Sequence, residues 1–188
     1  TDRGSTWSEA NKGRTRPFYT SAVIFDPLVT ARCYCAAEDG LYLSTNGGAT
    51  WKKTSFPTAR VLTLAVHSSM LGMLAAGCED EGLFLSSDGG ASWRRITRHD
   101  TLSTVYAVAF HPTDTRVILC GGYASGIWKS ADAGASWVLS PGTEGMSIDA
   151  LAINPLQPAQ VYAGVVWAGL YRSDDTGDRK GLQGNVRE

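Results

Sequence analysis

Long hydrophobic runs are missing from this 188-residue sequence. Its most apolar stretches, such as Val61–Val66 and residues 150–153, fall far short of the ~20 residues that span a bilayer, so no membrane span is expected. Charge of one sign is missing too: 17 Lys and Arg against 18 Asp and Glu leave a net charge of −1, and no global field holds a nucleic acid. Cysteine is scarce. Cys33, Cys35, Cys78 and Cys120 lack both the C-x-x-C spacing of a zinc site and the density of a disulfide scaffold. Cys33 and Cys35, two apart, share one face of a strand and cannot easily bridge each other, so all four are expected as buried free thiols. No G-x-S-x-G, phosphate loop or His-rich motif occurs. Neither metal nor cofactor is expected. A sustained 3.6-residue hydrophobic period is also absent, which argues against a helical array.

What is present is a repeat. Ser44-Thr-Asn-Gly-Gly-Ala-Thr-Trp51, Ser86-Ser-Asp-Gly-Gly-Ala-Ser-Trp93 and Ser130-Ala-Asp-Ala-Gly-Ala-Ser-Trp137 share the pattern Ser-x-Asp-x-Gly-x-x-Trp, with Asn46 replacing Asp once. Clipped copies lie at either end, with Asp2, Gly4 and Trp7 in the first and Ser173, Asp175 and Gly177 in the last. The Asx positions 2, 46, 88, 132 and 175 are 44, 42, 44 and 43 residues apart, a period of propellers or helical arrays.

Short apolar runs decide between the two. Upstream of the boxes lie residues 19–25, 61–66, 105–110 and 148–153, then 32–36, 72–76, 117–121 and 161–165. Last come the Gly-led runs Gly40-Leu-Tyr-Leu, Gly82-Leu-Phe-Leu, Gly126-Ile-Trp-Lys and Gly169-Leu-Tyr-Arg. All are rich in β-branched and aromatic residues and bounded by Gly, Pro, Asp or Asn, the signature of strands. The Trp after each complete box opens a fourth strand. Four antiparallel strands per repeat make a propeller blade, here at 17–54, 55–97, 98–140 and 141–177, the last with three strands. Residues 1–16 supply an outer strand and connection, and 178–188 a flexible tail. The class is all-β.

Within the box, Asx accepts hydrogen bonds from its own turn, Ser adds another, and Gly48, Gly90 and Gly134 supply a positive φ. Trp51, Trp93 and Trp137 bury large rings between sheets. The motif resembles the Asp-box of the bacterial neuraminidase repeat, found in sialidases, xyloglucan-degrading hydrolases, sortilin-type receptors and photosystem II assembly factors. The compact blades are most similar to those of the xyloglucanase and assembly-factor groups. That resemblance implies a propeller and favours an extracellular or periplasmic setting. The arginine triad and Arg-Ile-Pro-type segment of sialidases are not found, so their activity is not carried over.

Residues that escape the repeat are the functional candidates. Loops between the second and third strands carry Glu38, Asp39, Glu79, Asp80 and Glu81, then Tyr123 and Trp167 on the next two blades. Arg14, Arg16, Arg60, Arg98 and His99 form a basic counterpart. The leading expectation is a non-enzymatic scaffold binding a protein or carbohydrate partner. Its alternative is a fragment of a carbohydrate-active enzyme, glycoside hydrolase or sialidase-like, using Asp39, Glu79 or Asp80, since glycoside hydrolysis needs paired carboxylates. His67 and His111 stand where Asp26 and Asn154 end the first strand of other repeats, which predicts turn capping.

The sequence begins Thr-Asp-Arg, with neither Met nor an apolar signal region, so the chain is expected to be processed or cut from something longer. Residues 5–10 are expected to supply the outer strand that the last blade lacks. They do so within one chain as a four-bladed ring, or between chains as a homo-oligomer completing a larger ring, because bare strand edges are hazards.

Overall fold

A computed structural model describes residues 4–14, 19–57, 60–96 and 102–178. Asp2, Arg16, Arg98, His99 and most of the tail therefore lie outside the described residues. Fifteen strands and no helix occur among those that are described. β1 (Thr20–Phe25), β2 (Cys33–Ala37), β3 (Gly40–Ser44) and β4 (Lys52–Lys53) form the first sheet. β5 (Val61–Val66), β6 (Leu74–Cys78), β7 (Gly82–Ser86) and β8 (Arg94–Ile96) form the second. The third comprises β9 (Val105–Phe110), β10 (Ile118–Gly122), β11 (Ile127–Ser130) and β12 (Val138–Leu139). The last comprises, among the described residues, β13 (Ile148–Ile153), β14 (Val161–Val165) and β15 (Gly169–Ser173). Each is an antiparallel meander in sequence order, so the fold is that of propeller blades.

The blades share their cores. One apolar cluster joins the first and second blades through Tyr34, Leu41, Leu64 and Phe84. A second joins the next pair through Leu83, Val105 and Trp128, and a third joins the last pair through Leu119, Ile127, Ile148 and Val161. Hence β2, β6 and β10 are buried along their whole length. They read as unbroken runs of small and apolar residues because both faces meet a sheet. All four cysteines are buried free thiols, and burial pushes Cys78 up to about 12, which leaves it an inert packing group.

Inner strands touch in the order β1–β5, β5–β9 and β9–β13, and β13 makes no comparable contact with β1. The four blades form an open arc. Among the described residues β15 pairs with β14 alone, and residues 7–11 carry no strand, so they do not supply an outer strand to the last blade within one chain. Instead the N-terminal segment lies on the first blade, where the Trp51 amide donates to Lys12 O (2.8 Å) and its indole N–H to Ala10 O (2.9 Å).

Turns between the first two strands are capped by one side chain per blade. Asp26 Oδ1 accepts from Leu28 N–H (2.8 Å), and Asn154 Oδ1 from Leu156 and Gln157 N–H (3.0 and 3.2 Å). His67 Nδ1 accepts from Ser69 and Met70 N–H (3.1 and 3.2 Å), and His111 Nδ1 from Thr113 and Asp114 N–H (3.4 and 2.9 Å). An accepting Nδ1 requires the neutral ring with its proton on Nε2. His67 is buried against Phe110, 5.2 Å between ring centroids, and burial first, then His111, lowers its pKa from 6.5. The unfolded chain therefore binds a proton here that the folded chain refuses. Stability should be fully present above pH 6.5 and fall as pH drops through that value toward the folded pKa. His67→Asn keeps an accepting atom without the titration. Urea midpoints between pH 7.5 and 5.5 should slope for the parent and flatten for this variant; equal slopes would remove His67 as the cause.

Candidate functional site

The loops at 38–39, 79–81, 123–125 and 166–168 join the second and third strands of successive blades and gather at one edge of the arc. Adjacent loops are tied across blades. Arg60 N–H donates to Glu38 O (2.9 Å), Asp80 N–H to Thr104 Oγ1 (3.2 Å) and Ala124 N–H to Ser147 Oγ (2.9 Å). One corner residue in the last three loops is left-handed: Asp80 at φ 58°, Ala124 at φ 46° and Trp167 at φ 60°. Asp tolerates this region, whereas a bulky residue there is a true outlier.

Four of the acidic candidates are engaged one by one. Asp39 Oδ2 accepts from the Tyr42 hydroxyl (2.6 Å) and from Lys53 Nζ (3.2 Å). Burial raises its pKa, but the hydrogen bonds from Tyr42 and Lys53 outweigh burial and hold it below 3.8. Asp39 Oδ1 is buried without a partner, and the Arg14 guanidinium sits 5.2 Å from the Tyr42 ring centroid. Glu79 pairs with Arg60 (2.7 Å) and Glu81 with Arg95 (2.8 Å). Thr104 Oγ1 donates to Asp80 Oδ1 (3.4 Å). Thus Arg60 and Glu79, drawn from the basic and acidic groups, meet, while Asp39, Asp80 and Glu81 are each held by other partners. Among the described residues, every carboxyl with displaced ionisation moves downward. These groups are built to accept hydrogen bonds rather than to deliver protons.

The aromatics behave differently. Tyr123 and Trp167 are exposed, Trp167 completely, on neighbouring blades at the loop edge. Exposure of the Tyr123 loop persists with the fourth blade packed beside it, so it belongs to the loop and not to an open flank.

A cleft of about 720 Å³ opens elsewhere, between the outer strands of the first blade and the box turn of the second. Arg32, Lys52, Lys53 and Asp88 line it, and the Tyr34 hydroxyl donates to Gly89 O (3.0 Å) at its edge. The sequence reading missed this cleft because Lys52 and Lys53 read only as an exposed outer strand. The pattern of tandem lysines facing the next box is visible, but nothing in one repeat reveals the gap between two.

The boxes are turn clamps. In the second, Ser86 Oγ donates to Asp88 Oδ1 (2.8 Å) and accepts from Asp88 and Gly90 N–H (3.3 and 2.9 Å). Ser44 with Asn46, Ser130 with Asp132 and Ser173 with Asp175 repeat the Ser–Asx bond at 2.9, 2.9 and 2.7 Å. The Trp93 and Trp137 indoles donate to Gly90 and Gly134 carbonyls (3.1 and 3.3 Å). In the clipped first copy Gly4 and Trp7 are described, and Trp7 is 91% exposed.

No protein-family model matches the sequence, and no curated protein matches it. Solved structures do match in fold. An ancestral GH74 enzyme superposes with a TM-score of 0.73 at 23% identity, over 93% of this chain and 25% of the other. The GH74 xyloglucanase from Xanthomonas campestris gives 0.77 at 16% identity, over 91% and 31%. A Niastella koreensis GH74 enzyme gives 0.69 at 18% identity, over 84% and 29%. The chain spans about a quarter to a third of the length of these enzymes.

Proposed function

We propose that this chain is a carbohydrate-binding segment of a propeller, its repeated turn an Asp-box, and that Trp167 and Tyr123 form the platform for the glycan. The observation that carries this reading is Trp167: a fully exposed indole at φ 60°. A left-handed backbone costs a non-glycine residue about 1–2 kcal/mol, and here no burial of the ring offsets it. The left-handed corner is the repeat's own, shared with Asp80 and Ala124; what sets this loop apart is that a large aromatic occupies the corner and stands exposed. A flat indole offers the apolar C–H face of a sugar ring a surface to stack on, and Tyr123 extends it along the loop edge. The neighbouring Glu38, Asp39 and Asp80 carboxylates can accept sugar hydroxyls. GH74 enzymes as structural neighbours support a carbohydrate ligand, with a β-glucan backbone as the ligand of choice.

Trp167→Gly tests it in two directions at once. Stability should rise by about 1 kcal/mol as the strain is released, while affinity for a xyloglucan oligosaccharide, read by calorimetry, should fall at least tenfold. A stability loss with unchanged binding would assign Trp167 to packing and refute the platform.

Hydrolysis is a second reading, favoured by the enzymes among the structural neighbours. Asp39, held ionised by Tyr42 and Lys53, suits a base or nucleophile, with Glu79 or Asp80 as the other carboxyl. Release of new reducing ends from xyloglucan by the parent, lost in Asp39→Asn, would replace binding by catalysis.

A further inference from the structure

The joint between the first and second blades is built differently from the two that follow it. Tyr34, Ala75 and Leu119 hold one place in β2, β6 and β10, paired with Leu43, Leu85 and Lys129 of the third strands. Where that place is Ala75, the outer pair closes on the next box turn. Leu85 Cδ1 would lie 2.5 Å from a Cβ on Gly134, and Arg94 Nη1 donates to Gly134 O (3.3 Å). The third blade reaches the fourth in the same manner, with Lys129 Nζ donating to Asp178 Oδ1 (2.6 Å). Each of these joints ties a cation of the preceding blade to the box turn of the next.

The first joint does not close in this way. The Tyr34 ring is 3.6 Å from the place of a Cβ on Gly90, its hydroxyl donates to Gly89 O, and Arg32 Nη1 is 3.0 Å from a Cβ on Gly89. These two long side chains wedge the turn away from the outer strand, and the cleft of about 720 Å³ fills the gap. Between the third and fourth blades the corresponding space, walled by Ser140 and Gly177, is about 20 Å³. Lys52, opposite Leu43 as Arg94 is opposite Leu85, lines the cleft and enters no ion pair among the described residues. Arg32 meets Asp26 at 3.5 Å and keeps 26% of its side chain exposed. Asp88 stands in the same lining. Its Oδ1 takes Ser86 and Ser92, whereas its Oδ2 takes the Ser92 hydroxyl alone.

This lining asks for a ligand of mixed chemistry. An unpaired Lys52 beside a loosely paired Arg32 favours a carboxylate, which the guanidinium fork is shaped to hold. Asp88 opposes a ligand that carries negative charge alone, because like charges brought together repel, and its Oδ2 has room for a donor. Leu43 is the one large apolar side chain in the described lining, so a peptide finds little to anchor an apolar side chain. A hydroxylated carboxylate meets all three conditions. We propose that this cleft is a second ligand site, for a sugar acid: a uronic acid unit sets its carboxylate between Lys52 and Arg32 and gives a ring hydroxyl to Asp88 Oδ2. The volume lies within the range of ligand pockets, about 300–1,000 Å³. The site is separate from the Trp167 platform and does not rest on it.

Calorimetry of the 188-residue chain with a galacturonic acid trimer reads the outcome. The parent should bind it at least tenfold more tightly than a neutral galactose trimer or a hexaglutamate peptide. Lys52→Glu, on the exposed outer strand, should weaken the acidic trimer at least tenfold. Ala91→Trp keeps every charge but fills the cleft from its exposed rim; it should weaken binding likewise and decides the matter if Lys52→Glu fails to fold. Trp167→Gly should leave this affinity unchanged, and Lys52→Glu should leave xyloglucan affinity unchanged, so either site can fail without the other. Four results would overturn the proposal: no binding of the acidic trimer by the parent, equal binding of the neutral trimer or hexaglutamate, full affinity in folded Lys52→Glu or Ala91→Trp, or loss of the acidic trimer in Trp167→Gly.

Discussion

Gly77→Ala is expected to destabilise the fold by about 1–3 kcal/mol, the usual cost of overpacking, and Gly77→Val by more. The direction is diagnostic. Gly77 has no left-handed φ, and at such a strand position an added methyl ordinarily stabilises by about 0.4–1 kcal/mol through the unfolded chain. Here the methyl would lie 2.6 Å from Thr63 Cγ2, 2.7 Å from Val105 Cγ1 and 2.7 Å from Val105 O. Two of these are side chains that can shift. The third is the carbonyl of the next inner strand, and moving it means separating two blades whose cluster is completed by Val105, Ile118 and Leu83. Thermal unfolding measures it: at this chain length each kcal/mol is about 2–4 °C. A variant as stable as the parent would show that the blades can slide apart at no cost, against the shared-core architecture.

The same glycine shows how far the sequence could be read. β5, β9 and β13 coincide with the runs read from alternation and β-branching, and the boxes fall between the third and fourth strands, because both signals are local to one repeat. The recurrence of Gly at 77, 121 and 164 is equally visible, but its reason lies in the neighbouring blade, about one period further along the chain. Ring closure failed to be legible for a related cause. Residues 5–10 look like an outer strand wherever they sit, and only the packing of Ala10 on Trp51 shows which blade they accompany.

The candidate site was legible as a set of loops and illegible as a charge pattern. Departure from the repeat singled out Glu79 and Arg60 in opposite groups, yet their pairing at 2.7 Å depends on how the crossing segment meets the loop of its own blade. Asp39 is further removed from any reading of composition, since Tyr42 and Lys53 reach it from two different strands. Trp167 needed no partner to be noticed. What only geometry adds is that the ring stands exposed at the same left-handed corner that Asp80 and Ala124 occupy in the two preceding blades.

Ser86→Ala should cost about 1–3 kcal/mol, the penalty for leaving buried donors without an acceptor. Ser86 is buried, and its Oγ serves two backbone N–H groups, of which Gly90 N–H has no route to water. Alanine fits the space but accepts nothing. Asp88 cannot substitute, because its Oδ1 already takes the Ser92 N–H (2.9 Å) and its Oδ2 the Ser92 hydroxyl (2.5 Å). Those bonds, with Ser92 as the largest cause, lower Asp88 to about 2, and Ser136 does the same for Asp132. Both carboxylates thus favour folding above pH 3.8, and that contribution is lost as pH falls toward 2. Asn46 makes the same turn without titrating. Replacing Asp88 and Asp132 together by Asn should therefore flatten the acid limb of the stability profile below pH 4, while Ser86→Ala lowers the profile at neutral pH and, by removing one of the bonds that lower Asp88, eases the acid limb only in part. Guanidinium unfolding at a series of pH values separates the two, and an acid limb unchanged by the double Asn variant would place the titration elsewhere in the chain.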